Sequence, residues 1–234
     1  MGEDTGQVAP ARAVDRAMSL LAAVCESGPL ALSDAARATG LPVSTASRLL
    51  KTLEAAGFVR RDADAAYGPG ARILQLGALA LSSQFLPEFA ATAMERLAAT
   101  TGESVYLAVP GHRSTALYVA ITEGTHSVRH VNWVGRTVPL DGSAVGAVLR
   151  GLTPAKGYIA VRGGVEEDVT AIAAPIVLKS RTMAALTLLV PTYRAGVATV
   201  KDHGRRLAAA TADLSERLTS GDDPASSVSD SHRN

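Results

Sequence analysis

The chain has 234 residues, of which 47% are hydrophobic and 19% charged, and a formal net charge of +1. This is an ordinary soluble globular composition, with enough apolar material for one large domain or two modest ones. The single cysteine, Cys25, excludes an intramolecular disulfide and any cysteine-based metal centre within one chain, and no apolar run approaches the ~18 residues of a membrane span. Without a basic patch leading into an apolar run at the N-terminus, no secretory signal is read, and a reducing cytoplasm is the expected location.

Residues 1–10 are polar and unpatterned and are expected to form a disordered tail. From Ala11 the pattern is helical: Val14, Ala17, Met18, Leu21, Val24 and Cys25 share a face, with Cys25 expected as a small core residue and Gly28-Pro29 as the stop. The stretch from Leu32 to Gly57 then reads as two helices joined by a tight turn. Ser33 is placed to cap the first, Asp34 suits its dipole, Gly40 ends it and Pro42 opens the second.

In that second helix Ala46, Leu49, Leu50 and Leu53 make one apolar stripe, which leaves Ser44, Thr45, Ser47, Arg48 and Lys51 outward. Short hydroxyls followed one turn later by Arg and Lys suit a helix laid in a DNA major groove. A helical hairpin with a solvated basic face fits the same residues. Phe58–Asp62, a turn at 63–66 and Ala66–Gly68 follow as a β-hairpin, the order of a winged helix-turn-helix, with Arg60 and Arg61 on the wing. Between Val43 and Arg61 four basic residues face one acid, Glu54, so positive charge is focused here in a nearly neutral chain.

Residues 70–84 read as a short linker helix that is apolar nearly all round, with Ile73, Leu76, Leu79 and Ala80 on one side and Leu74, Ala78 and Leu81 on the other. Such a helix needs a covering partner, either the second domain or another subunit. Residues 86–101 form an amphipathic helix with Phe89, Ala93, Leu97 and Thr100 on one side. The period then changes to alternation, predicting strands at 105–109, 116–122 and 128–134, a loop and short helix over 140–150, two strands at 169–178 and 182–190, and a long helix over 197–219. The expected fold class is α+β: a winged helix-turn-helix domain (11–69), a linker helix (70–84) and a domain with one antiparallel sheet (85–220), before a disordered tail (221–234).

Several segments, in this order, give the chain its resemblance to the IclR family of bacterial transcriptional regulators. They are ARAVDRAMSLLAAV, GLPVSTASRLLKTLEAAGFVRRD, YGPGARILQLG, LAATTGESVYLAV, VPLDGSAVGAVLRG, GYIAVRGGVEEDVTAIAAPIV and MAALTLLVPTYR. The resemblance implies a winged-helix reader joined to a GAF-like effector domain, acting as a homodimer or tetramer on a pseudopalindromic operator. The DNA-contacting set expected on this basis is Ser33, Pro42, Val43, Ser44, Thr45, Ser47, Arg48, Lys51, Arg60 and Arg61. Two departures stand out. Only Leu152–Lys156 remains where the family has some tens of residues, and Val161 and Gly164 stand where acids commonly face the ligand.

Ala171 and Leu189 likewise replace small polar residues. An apolar cavity desolvates a carboxylate without a partner, so the effector is expected to be larger or more hydrophobic than a small carboxylate; the other reading is a domain that has lost ligand binding and serves assembly. The expected effector set is Tyr106, Tyr118, Trp133, Ser143, Ala144, Val161, Val169, Ala171, Thr187 and Leu189. For Ser143 two roles stand open, ligand contact at a helix N-terminus or plain helix cap, and the three aromatics fit a core or interface role equally.

No convergent catalytic set is present, so no enzyme activity, cofactor or metal is expected. His126 and His130, four apart in a predicted strand, lie ~13 Å from each other along the backbone, too far to share a metal. In Gly142–Gly146 the serine is second rather than central, unlike a nucleophile elbow. A dimerising scaffold without DNA binding remains the third class of function.

Overall fold

The computed structural model describes residues 12–82 and 85–220, and the two tails expected at 1–10 and 221–234 lie outside them. Contacts divide the chain into two units, Met1–Gln84 and Phe85–Asn234.

The first unit contains α1 (Arg12–Ser27), α2 (Leu32–Ala38), α3 (Val43–Ala55), the hairpin β1 (Val59–Arg61) and β2 (Tyr67–Pro69), and α4 (Ala71–Ser82). Its core is built from Leu20 and Val24 of α1, Ala35 and Ala36 of α2, Ala46, Leu50 and Leu53 of α3, and Val59 and Tyr67 of the hairpin. Gly40 takes φ +65° in the turn between α2 and α3, a conformation that costs glycine little. Leu30 joins the hairpin edge through paired backbone bonds with Tyr67, 2.9 and 2.8 Å long.

Three expectations for this unit need correction. Helix α2 begins at Leu32, two residues earlier than a Ser33 cap implies, so Ala31 is its N-cap and Ser33 is an exposed residue of the first turn. Helix α1 is rotated from the predicted stripe: Leu20 and Val24 are buried, whereas Val14 and Met18 are 59% and 51% exposed. Two overlapping apolar stripes run along α1, and packing against α3 selects the one through Leu20. Cys25 falls on the other and is exposed.

The second unit runs α5 (Leu86–Thr101), β3 (Ser104–Pro110), β4 (Thr115–Thr122), β5 (Thr137–Pro139), α6 (Ala144–Leu149), β6 (Ile159–Arg162), β7 (Val169–Leu178), β8 (Arg181–Pro191) and α7 (Val197–Ser220). The strands form one sheet in the order β5-β4-β3-β8-β7-β6, with every pairing antiparallel. Alternation sorts its side chains between two faces. Val105, Leu107, Ile172, Ile176, Leu186 and Leu188 pack with Phe89, Met94 and Leu97 of α5 and Leu207 and Leu214 of α7. Tyr106, Ala108, Tyr118, Ala173, Ala185 and Leu189 pack with Ala144, Val145 and Val148 of α6. Strand β8, central in the sheet, is buried on both faces, which is why its sequence is apolar from Met183 to Val190 save for Thr187.

The strand predicted at 128–134 does not form. Its apolar residues fall at 128, 131, 133 and 134, which is not an alternation, and Val128, Val131 and Val134 are 59%, 66% and 43% exposed. Residues 123–136 are instead a long loop that closes into a turn at Gly135. The two edge strands β5 and β6, three and four residues long, were not anticipated. On α5, Thr101 is buried and Thr100 exposed, one position off the expected stripe. No helix among the described residues is long and apolar enough to cross a membrane.

Candidate functional site

On the first unit, α3 presents Ser44, Arg48 and Lys51 to solvent, with Thr45 and Ser47 half-buried and Val43 53% exposed. Pro42 is the N-cap, no side chain caps the helix, and its first turn holds no acid. The first backbone amides are thus open to an anion, and the helix dipole favours one there. Arg48 and Lys51 make no ion pair or side-chain hydrogen bond among the described residues, unlike Arg37, which is held by Asp34 at 2.9 Å. The wing begins directly after α3. Its Arg60 is exposed, while Arg61 lies over the Tyr67 ring at 5.7 Å and donates to the Ala65 carbonyl at 3.4 Å. Ser33 is exposed in the first turn of α2, the helix before α3.

On the second unit, a cavity lies between the sheet, α6 and the loop 123–136. Eight of the ten expected effector residues line it: Tyr118, Trp133, Ser143, Ala144, Val161, Val169, Ala171 and Leu189. Its free volume is about 20 Å³, roughly room for one or two water molecules. Tyr106 is not in the wall but directly behind it, and Thr187 is paired beside Tyr106 in the sheet, fully buried with its hydroxyl unpartnered. Ser143 serves as the α6 cap: its Oγ accepts from the Gly146 amide at 3.1 Å and donates to the Pro139 carbonyl at 2.6 Å.

The wall also holds residues that sequence reasoning missed, chiefly Val138, Val145, Val165, His130 and Glu166. Val161 and Gly164 bring no acid, but Glu166, two residues further on, does, which corrects the picture of a wholly apolar exchange. His130 Nε2 lies 2.9 Å from Glu166 Oε2, and His130 Nδ1 lies 2.8 Å from Tyr106 Oη. The Tyr106 hydroxyl donates to the Val131 carbonyl. Both ring nitrogens of His130 are thus engaged, one by Tyr106 and the other by Glu166. His130 and Glu166 are 36 residues apart on two loops, and nothing local in the sequence pairs them.

Tyr118, only 3% exposed, makes no hydrogen bond through its hydroxyl among the described residues. Burial pushes the phenols of Tyr118 and Tyr106 well above the ordinary tyrosine range, so both stay protonated. The Trp133 ring is packed edge-on against His130, with centroids 4.7 Å apart, and carries Arg136 on its face at 5.6 Å. No group of three or more His, Cys, Asp or Glu among the described residues is placed to hold a metal ion.

With this geometry in hand, comparison with known proteins is decisive. Residues 13–63 match the IclR helix-turn-helix domain and residues 78–156 the C-terminal domain of the bacterial transcriptional regulator IclR, together more than half of the chain. The chain belongs to the IclR family. It is 33% identical to the HTH-type transcriptional regulator KipR of Bacillus subtilis over 57% of this chain and 53% of that protein. It is 32% identical to the transcriptional repressor IclR of Escherichia coli over 61% and 52%. The matched part thus spans about half the length of these curated relatives. In fold, the chain resembles an IclR homolog from Microbacterium hydrocarbonoxydans solved with 4-hydroxybenzoate, with a TM-score of 0.72 at 24% identity, covering 88% of this chain and 98% of that one.

Proposed function

We propose that this IclR-family chain is a sequence-specific DNA-binding regulator of transcription, most simply a cytoplasmic repressor, controlled by a small effector bound in its second unit. The observation that carries the reading is the α3 face, where Arg48 and Lys51 stand exposed without an acidic partner beside an uncapped helix N-terminus. The exposed Arg60 of the wing adds a contact for the phosphate backbone.

The protein acts as a homodimer or tetramer on a pseudopalindromic operator, with two copies of α3 in successive major grooves about one helical turn apart. Helix α4 supports the assembly: Leu74 is 73% exposed and Leu76 41%, an apolar surface that a second subunit would cover. Effector binding changes operator affinity by as much as the effector discriminates between the two states of the protein. The effector is more apolar than a small carboxylate, in keeping with a wall dominated by Val, Ala, Leu, Tyr and Trp.

The second reading, a domain that only assembles, draws on the small free volume of the cavity. Fluorescence anisotropy with the DNA upstream of the protein's own gene, at two salt concentrations and with excess competitor, tests the regulator reading. A competitor-resistant, salt-sensitive complex is expected. Failure to bind that DNA and any sequence from a random pool, even at low salt, overturns it in favour of a scaffold.

A further inference from the structure

The small cavity has a wider, more open neighbour. On the far side of His130 lies a groove of about 720 Å³, lined by Val128, Arg129, Val131, Arg162, Asp168 and Tyr193 among others. His130, Glu166, Val169 and Leu189 belong to both walls. The partition between the two spaces is therefore thin, and its polar part is one contact, His130 Nε2 to Glu166 Oε2 at 2.9 Å.

The two halves of that contact are unequally fixed. The His130 side chain is 5% exposed and tied on its other nitrogen to Tyr106, whereas the Glu166 side chain is 42% exposed and bonds nothing else among the described residues. Glu166 is the half free to swing outward.

Behind the partition waits an unused polar group, the Tyr118 hydroxyl. Tyr118 lines the cavity and its hydroxyl has no protein partner among the described residues, so it can bond a ligand there. Charge decides the rest. The titratable groups of the inner wall are Tyr118, His130 and Glu166; Tyr118 is a neutral phenol, and the wall holds no Arg or Lys. An anion entering this cavity finds no free cation and is desolvated beside a carboxylate.

We propose that His130 and Glu166 form the gate of a two-compartment effector site, and that the inner compartment takes an uncharged ring compound whose hydroxyl bonds Tyr118. This rests on the effector-binding reading above and specifies both its entrance and its ligand class. Opening the gate joins the inner cavity to the groove and supplies the room the small cavity lacks.

Trp133 lines the inner cavity and is the chain's one tryptophan, so its fluorescence reports on this place alone. The test uses the full chain, with acrylamide as an uncharged quencher and phenol and benzoate as probes alike in ring and unlike in charge. Glu166→Ala is expected to raise the Stern–Volmer constant of Trp133 about twofold. Glu166→Gln, which keeps the side chain's shape, should raise it less, and Glu167→Ala should leave it unchanged.

Phenol should shift Trp133 emission at lower concentration in Glu166→Ala than in the unaltered protein, and benzoate should require more in both. Tyr118→Phe should weaken phenol roughly three- to tenfold, the size of one neutral hydrogen bond. Equal quenching in all proteins overturns the gate. Benzoate binding as tightly as phenol, or no response to phenol even in Glu166→Ala, overturns the ligand class. None of these readouts involves DNA, so an intact operator complex beside a failed gate separates this proposal from the regulator reading.

Discussion

Arg194 closes a two-pronged ion pair on Glu103, with Nε 2.9 Å from Oε1 and Nη2 2.8 Å from Oε2, and the same Nη2 donates to the Val128 carbonyl at 2.8 Å. Glu103 is 1% exposed and stands immediately before β3, while Val128 belongs to the loop that carries His130 and Trp133. One guanidinium thus anchors the cavity's covering loop to the sheet. His126, on that loop as well, faces the same carboxylate at 3.7 Å.

Removing Arg194 leaves a buried carboxylate without its main partner. Arg194→Ala is expected to cost roughly 3 kcal/mol, the lower end for a broken buried pair, because the Arg194 side chain keeps 20% exposure to water. Urea denaturation of the second unit's transition measures the loss. Acrylamide quenching of Trp133 should rise in the same variant, since the loop loses its tether.

Gly204, inside α7, faces the ring of Tyr158 so closely that an added Cβ would overlap the ring carbons. Alanine normally improves a helix interior by about 1 kcal/mol over glycine. Here overpacking of about 1–3 kcal/mol should outweigh that gain, so Gly204→Ala is expected to destabilise. Adding Tyr158→Leu, which takes the ring away, should restore part of the stability. A melting temperature for each of the three variants decides the sign.

His203 of α7 sets a pH dependence. Burial pushes its pKa below the ordinary histidine value, against the pull of Glu103 and Asp202, with Arg206 and His126 pushing the same way as burial. Its Nδ1 is buried without a hydrogen-bond partner. The unfolded chain therefore takes up a proton near pH 6.5, where the folded one does not. Stability from this group is complete above that value and is lost as pH falls toward the lower folded pKa. In His203→Gln that slope should be missing from urea midpoints measured between pH 7.5 and 5.

Much of this was legible in the sequence because local chemistry fixed it. Ala46, Leu50 and Leu53 declare the buried side of α3, and their spacing leaves Arg48 and Lys51 outside whatever α3 packs against. The apolar run of β8, broken only by Thr187 between Met183 and Val190, announces a strand covered on both faces. Other features depend on distant partners. Val14 and Leu20 lie on overlapping stripes of α1, and only the packing with α3 tells which is buried. The valines of 128–134 resemble a strand in composition, yet their side chains find no place in the sheet. Glu166 was invisible as a cavity residue because its role comes from His130, a loop residue far away in the chain.

On the wing, Arg60→Ala removes an exposed cation from a position suited to phosphate rather than bases. Binding should weaken to a similar degree on operator and unrelated DNA, and the slope of log K against log salt should become less steep by about one unit. Anisotropy titrations at four salt concentrations measure both effects.

The most direct measurement is the affinity of Arg48→Ala for the operator and for a copy of it altered in one half-site base pair. If the α3 face reads sequence, the substitution should cost about 1–3 kcal/mol on the operator and much less on the altered site, so that discrimination collapses at that position. Unchanged operator affinity, or an equal loss on both DNAs, would contradict sequence reading by Arg48.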